Sequence, residues 1–239
     1  MQFDIITLFP DAFAGIFNTS IIKRAQKDKL ISINLHNLRD WATDKHKTVD
    51  DTPYGGGAGM VLKVDVMDRC LNKITCHPGP EARDKRSGHP GPPHQKVKTI
   101  LLTPQGKTFS QTKARQLTKF DQLVLICGHY EGFDQRIREH LVDEEISLGD
   151  FVLTGGEIPA MAIVDAVSRL MPGVIKTESH QNESFSLHQG KRGRPPKLLE
   201  YPHYTKPAEY QGWSVPSVLL SGDHQKIQQW RQQKIRKKK

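Results

Sequence analysis

Apolar residues in this chain fall into short blocks separated by polar and glycine-rich stretches. The first block, Phe3 to Phe9 (FDIITLF), is β-branched and aromatic and is closed by Pro10, which predicts a buried strand. A helix pair is predicted over roughly Asp11 to Lys29, and Leu30 to Leu35 (LISINL) alternates as a second strand. Thr43 to Met60 is polar and then glycine-rich, a loop too long to serve only as a connection, and long ordered loops usually carry function. Between Cys76 and Gln95 the chain is dense in Pro, Gly and charge, the composition of a surface insertion.

Two apolar runs, Val97 to Leu102 (VKTILL) and Leu123 to Cys127 (LVLIC), flank a helical stretch from about Gln111 to Phe120. Strand, helix, strand with fully apolar strands predicts an α/β fold with a parallel sheet covered on both faces. A helix over Phe133 to His140 and a short strand near Glu145 to Leu148 follow. Pro159 opens a further helix whose Met161, Val164, Val167 and Leu170 recur at helical spacing and which Pro172-Gly173 ends. From Lys176 to Lys197 the apolar periodicity is lost, and KRGRPPK (Lys191 to Lys197) has the composition of a linker. These breaks divide the chain into a body of residues 1–175, a linker of 176–197 and a small module of 198–239, whose helix begins near Ser221-Gly222-Asp223 and presents Ile227 and Trp230 on one side.

Composition changes this picture mainly through charge. The 239 residues include 35 Lys+Arg against 26 Asp+Glu, a formal +9. Residues 1–175 hold 22 basic and 21 acidic side chains, a net of +1, whereas residues 176–239 hold 13 and 5, a net of +8. A near-neutral body with a basic extension points to a polyanionic partner for the extension. There is no run of about 18 apolar residues, so no spanning helix is expected. Met1-Gln2-Phe3-Asp4 lacks a basic region ahead of an apolar one, so a cytoplasmic location is expected. Three cysteines without C-x-x-C argue against a disulfide framework or a zinc ribbon.

Three glycine-rich turns are candidates for a small-ligand pocket: PYGGGAGM (Pro53 to Met60), GHYEG (Gly128 to Gly132) and LGDFVLTGGE (Leu148 to Glu157). Neither the P-loop nor the dinucleotide fingerprint fits them. Two of them follow predicted strands, which in an open α/β sheet puts them at the ligand-binding carboxyl edge, beside TPQG (Thr103 to Gly106). The stretch Asp44 to Asp51 concentrates His and carboxylates, either as a metal or phosphodiester site or, the preferred reading, as a polar loop bonding backbone groups. Cys76, His77, His89 and His94 lack zinc-ligand pair spacing. The R-G-R-P core of KRGRPPK resembles an AT-hook, and a basic linker tracking any nucleic-acid backbone explains it equally. Arg169 lies four residues after Asp165 and either pairs with it or, near Glu178 and Glu183, forms a cation–carboxylate set suited to proton abstraction from a weakly acidic N–H.

Eight stretches, in order through almost the whole chain, resemble the bacterial tRNA (guanine-N1)-methyltransferases of the TrmD type, members of the knotted SPOUT methyltransferases. They are ITLFP (Ile6 to Pro10), KTVDDTPYGGGAGM (Lys47 to Met60), LICGHYEGFDQR (Leu125 to Arg136), SLGDFVLTGGEIPAM (Ser147 to Met161), DAVSRLMPGV (Asp165 to Val174), NESFS (Asn182 to Ser186), LLEYPHYTKP (Leu198 to Pro207) and VPSVLLSGDH (Val215 to His224). The resemblance implies a homodimer with its active site at the subunit interface, a parallel sheet ending in a deep trefoil knot, and a small helical C-terminal domain that binds tRNA. It further implies S-adenosylmethionine held by Thr103, Pro104, Gly128, Tyr130, Leu148, Gly149, Asp150, Phe151, Val152, Leu153, Gly155 and Gly156.

The implied reaction is methyl transfer to N1 of guanine 37 of tRNA, preceded by G36. Arg169 matches the family's catalytic arginine, and the family's basic aspartate, two residues before the Phe of its linker motif, is here Glu183. His46, Asp50 and Glu131 correspond to residues near the guanine, and magnesium assists the family's reaction. The chain departs from the family in the inserted KRGRPPK and in ending soon after the Trp230 helix. The alternatives are a SPOUT methyltransferase with another RNA target and a nucleic-acid-binding protein with little catalysis.

Overall fold

The apolar runs assemble as a five-stranded, all-parallel sheet with helices on both faces. The computed structural model describes residues 1–75, 96–176, 183–185 and 198–237. The Cys76–Gln95 insertion, Glu178 and KRGRPPK lie outside the described residues. The chain separates into two units, Met1–Ile175 and Lys176–Lys239. Among the described residues, no helix is long and apolar enough to cross a membrane.

In the first unit the strands are β1 (Gln2–Thr7), β2 (Ser32–Asn37), the two-residue β3 (Asp50–Asp51) and β4 (Val61–Leu62), β5 (Val97–Thr108), β6 (Gln122–Cys127) and β7 (Glu144–Ser147). The main sheet runs in the order β2-β1-β6-β5-β7, while β3 and β4 pair antiparallel with each other. The helices are the one-turn α1 (Ala14–Phe17), then α2 (Ser20–Lys27), α3 (Val64–Thr75), α4 (Gln111–Leu117) and α5 (Glu157–Ser168). Successive strand residues point to opposite faces. Accordingly Phe3, Ile5, Ile100, Leu102, Leu123 and Leu125 pack with α2, α4 and α5, whereas Ile6, Leu101, Val124 and Ile126 pack with α3. Ile163, Val164 and Val167 of α5 have no exposed surface, and each such side chain contributes roughly 1.5–3 kcal/mol on burial.

Two helices differ from the sequence expectation. The helix expected from Phe133 is reduced to a π-helical turn, Ile137–Leu141, because the preceding backbone is already committed. Leu62 N–H donates to the Gly132 carbonyl (3.0 Å), Asp134 N–H donates to the Leu62 carbonyl (3.0 Å), and the Asp134 side chain accepts from Arg136 N–H (2.9 Å). α5 starts at Glu157, with Pro159 inside its first turn, where a missing N–H leaves no bond unmade.

At the amino edge of β1, Asp4 is 2% exposed and its carboxylate accepts from Gln2, Asn34 and Gln122 and contacts His36 Nε2 at 2.8 Å. Burial acts to raise its pKa, but the bonds from His36, Asn34, Gln122 and Gln2 outweigh burial and hold it below the usual carboxylate value. Beside it Cys70 is buried, and that burial, reinforced by the Asp4 carboxylate, pushes its thiol up to about 12. Burial likewise holds Cys127 well above its ordinary value, so both free thiols are inert packing groups.

In the second unit Leu198–Leu199 pairs antiparallel with Arg236–Lys237, and Glu209–Tyr210 forms a hairpin with Trp213–Ser214. Asp223 caps the helix His224–Lys234 by accepting from Gln225 N–H and Lys226 N–H, both at 3.1 Å. Ile227 and Trp230 are its half-buried positions, as the spacing predicts, and Trp230 lies 6.3 Å from the Tyr204 ring.

Because the folded pKa of Asp4 is depressed, its stabilisation is present above the unfolded value of about 3.9 and is lost as pH falls through the lower folded value. Asp4→Asn should therefore unfold in urea with a stability deficit on the order of 2 kcal/mol at pH 7, and that deficit should shrink as the pH is lowered below about 4. A deficit that stays constant down to pH 3 would show that the carboxylate charge is not what the four partners hold.

Candidate active site

All five main strands run the same way, so the segments that follow β6 and β7 emerge at one edge of the sheet. TPQG joins them there by a different route. The sequence predicts that the strand ends at Leu102, but β5 continues to Thr108 with a jump in register: Ile146 of β7 is opposite Leu102 and again opposite Lys107. Thr103–Gly106 is thereby pushed out of the ladder. The backbones then approach so closely that a Cβ on Gly106 would lie 2.5 Å from the Ile146 nitrogen, a contact only glycine permits.

The three segments surround one cavity of about 310 Å³. Ten of the twelve residues that the resemblance assigns to the cofactor line it: Thr103 and Pro104; Gly128 and Tyr130; Leu148, Phe151, Val152 and Leu153; Gly155 and Gly156. Gly149 and Asp150 do not. They make the turn between Leu148 and Phe151, with the Ser147 hydroxyl donating to the Gly149 carbonyl (2.9 Å) and Phe151 N–H donating to the same oxygen (3.0 Å). Tyr130 is a non-glycine residue at φ +59°, a left-handed conformation of the sort that concentrates at functional sites.

At the cavity, where His129 is one of the lining residues, a junction ties three chain segments together. Both oxygens of Glu157, at the start of α5, lie 2.8–2.9 Å from His129 Nε2 of GHYEG, and Thr7 at the end of β1 donates to Glu157 Oε1 at 2.6 Å. Phe9 N–H donates to the Thr7 hydroxyl, and the Phe9 ring meets His129 edge-on with centroids 4.8 Å apart. α5 is seated directly on β6: a Cβ on Gly156 would come within 2.5 Å of Cys127 Cα.

Glu131 lines the cavity, whereas His46 and Asp50 are not among its lining residues. His46 belongs to an exposed loop organised by Asp44, which accepts from His46 N–H (3.1 Å), Thr48 N–H (2.9 Å) and the Thr48 hydroxyl (2.8 Å). The Thr48 hydroxyl bond, with the backbone bonds, lowers the Asp44 pKa, so this stretch does bond backbone groups as the preferred reading had it. Asp50 sits in β3 opposite Leu62. Arg169 is the half-buried C-cap of α5, and Glu183 lies in the second unit, in a turn whose Phe185 N–H donates to the Leu198 carbonyl at 2.8 Å. Among the described residues no three His, Cys, Asp or Glu side chains gather in a group that would hold a metal ion. The described residues therefore offer no seat for the implied magnesium.

Sequence reading missed His129, Glu157, Gln105 and Arg138. Their partners are distant in the chain, Thr7 and Glu157 being 150 residues apart, and no local pattern marks such a pairing. Only the acid in the first turn of α5 carried a local signal, as a carboxylate favoured by the helix dipole. Glu157→Ala leaves His129 and Thr7 without their acceptor and should destabilise the first unit by about 1–3 kcal/mol in urea unfolding, with a smaller loss for Glu157→Gln. Equal stability of the two variants would remove the carboxylate from this role.

The sequence profile of the family described as "tRNA (Guanine-1)-methyltransferase TrmD" matches residues 1–239. A tRNA (guanine-N(1)-)-methyltransferase of Chloroflexus aggregans is 52% identical over 231 residues, 97% of this chain and 81% of the relative. Proteins with the same description from Bacillus pumilus (49% over 239 residues, 100% of this chain and 88% of the relative) and Dehalococcoides mccartyi (49% over 231 residues, 97% and 84%) are similar to it along nearly their whole matched lengths. With these identities spanning both units, the chain belongs to the TrmD family of tRNA (guanine-N1)-methyltransferases.

Proposed function

We propose that this methyltransferase uses S-adenosylmethionine to methylate N1 of guanine 37 in tRNA whose nucleotide 36 is also guanine. On this reading it works as a cytoplasmic homodimer with its active site at the subunit interface. The observation that carries the proposal is the convergence of TPQG, GHYEG and LGDFVLTGG on one cavity at the carboxyl edge of a parallel sheet, in a chain of this family. A volume of about 310 Å³ is within the range of small-molecule sites, and backbone amides and carbonyls of close-packed loops suit an adenosyl group. The residues present therefore fit the cofactor, with Thr103, Pro104, Gly128, Tyr130, Leu148, Phe151, Val152, Leu153, Gly155 and Gly156 as its walls. We take the C-terminal part of the sheet to be threaded as the deep trefoil knot of the SPOUT class, which explains a pocket built without a dinucleotide fingerprint. Exposed apolar side chains at the cavity and nearby, Tyr130 (48%), Phe151 (54%), Val152 (82%) and Ile158 (55%), support a second copy covering this face.

When bound, S-adenosylmethionine supplies a methyl group on a positively charged sulfur. Glu183 accepts the proton of guanine N1 on its carboxylate, which frees the N1 lone pair for the methyl group that a cofactor held by the cavity residues would supply. Arg169 stabilises the negative charge that builds on the guanine. Glu131, His46 and Asp50 stand on the guanine side. Glutamate in place of the family's aspartate keeps the carboxylate and adds one methylene of reach. Residues 1–175 form the catalytic unit, 176–197 the basic linker and 198–239 the tRNA-binding module.

Labelled methyl transfer to a G36-G37 transcript should exceed transfer to transcripts altered at either nucleotide. Equal labelling of all three indicates another RNA target, and binding without transfer indicates a nucleic-acid-binding protein. In single turnover, Arg169→Ala should slow transfer about 10²-fold with S-adenosylhomocysteine affinity unchanged. Glu183→Gln should slow it by about 10² or more, and a wild-type rate in either variant would refute the role given to that residue.

A further inference from the structure

Thr103–Gly106 forms a wall of the cavity without a place in the ladder of either neighbour, because pairing with β6 stops at Leu102 and register with β7 resumes only at Lys107. Within the segment, one long bond from Gln105 N–H to the Thr103 hydroxyl (3.4 Å) is too weak to fix its shape. The fixing contacts come from the π-helical turn. There Arg138, anchored beside the fully buried Ile137, donates from Nη2 to the Thr103 hydroxyl at 2.8 Å and from Nη1 to the Gln105 side-chain carbonyl. Glu145 of β7 lies 3.6 Å from the same guanidinium, whose side chain is only 16% exposed. One planar fork thus joins the excursion to two other elements. Arg138 and Glu131 are the two formally charged side chains among the residues lining the cavity.

We infer that Arg138 is a positioning residue that holds Thr103–Gly106 in its cavity-forming shape and so sets affinity for S-adenosyl ligands. This rests on the proposed cofactor. A guanidinium is suited to the task because its rigid fork bridges two separate acceptors, while an ammonium is a single point of charge. The cost of loosening the segment is paid on ligand binding, as lost preorganisation.

The test is calorimetric titration of the full chain with S-adenosylhomocysteine, alongside steady-state methylation of tRNA. Arg138→Met should weaken S-adenosylhomocysteine about tenfold and raise KM for S-adenosylmethionine similarly, with kcat at saturating cofactor within about twofold of wild type. Arg138→Lys should recover only part of the loss. Gln105→Ala, on an exposed side chain, should weaken binding by itself, and adding it to Arg138→Met should cost little more. Should Arg138→Met not fold, the Lys and Gln105→Ala variants carry the test. Wild-type affinity in Arg138→Met or in Gln105→Ala, fully additive losses, or a fall in kcat alone would overturn the inference. Failure of the wild-type protein to bind S-adenosylhomocysteine would instead overturn the proposed cofactor, and the inference with it.

Discussion

Ile146 can have only one partner at a time in a regular ladder, yet β5 meets it twice, at Leu102 and at Lys107. Everything about the candidate site depends on this mismatch. Thr103–Gly106, expelled from the ladder, supplies one wall of the cavity. The expulsion leaves backbone groups without ladder partners, which is costly unless other groups or a ligand satisfy them. A wall of that kind is both a weakness in the sheet and a set of donors and acceptors aimed at whatever fills the cavity.

The same economy governs the other walls. GHYEG and the start of α5 are held to each other and to the end of β1 by the Glu157–His129–Thr7 junction, and glycine stands where backbone must approach closely. The junction reaches from His129 in the cavity lining to the buried Thr7 and Glu157, where a hydrogen-bonded carboxylate is stronger than at the surface and an unpaired one is far more costly. Precision at the wall is therefore bound to fold stability. A substitution that frees His129 acts on the stability of the fold and on the position of Gly128 to Tyr130 together.

How much of this was legible in the sequence follows from the range of each signal. The sheet was legible because FDIITLF, VKTILL and LVLIC are short, nearly continuous apolar runs, as strands packed between two cores must be, and such a run is a local property. The Asp223 cap and the Ile227 and Trp230 face were legible for the same reason. The π-helical turn after Phe133 was not, because Leu62, some seventy residues earlier, takes the backbone of Gly132 to Asp134 out of the helix. Nor was the double use of Ile146, which no pattern within β5 announces. The motifs placed TPQG beside the other two loops at the carboxyl edge, but only long-range pairing shows the register jump that expels it from the ladder and brings Arg138 to it.

Charge follows a different logic from packing and separates two kinds of recognition. The cavity is lined by one formal cation and one formal anion, Arg138 and Glu131, and the unit that contains it is close to neutral. The excess of +8 belongs to residues 176–239. On the proposed function, that division gives the tRNA to the basic extension and the methyl donor to the cavity. Salt then acts on the two steps unequally. Counterion release makes attachment of RNA to exposed Lys and Arg steeply dependent on ionic strength, whereas bonds inside a small cavity are screened far less. On that reading the cofactor site stays loaded over salt concentrations at which tRNA is gained and lost. On the same reading the basic extension sets how often a tRNA arrives, and the expelled segment at Thr103–Gly106 sets whether the methyl donor is already in place when it does.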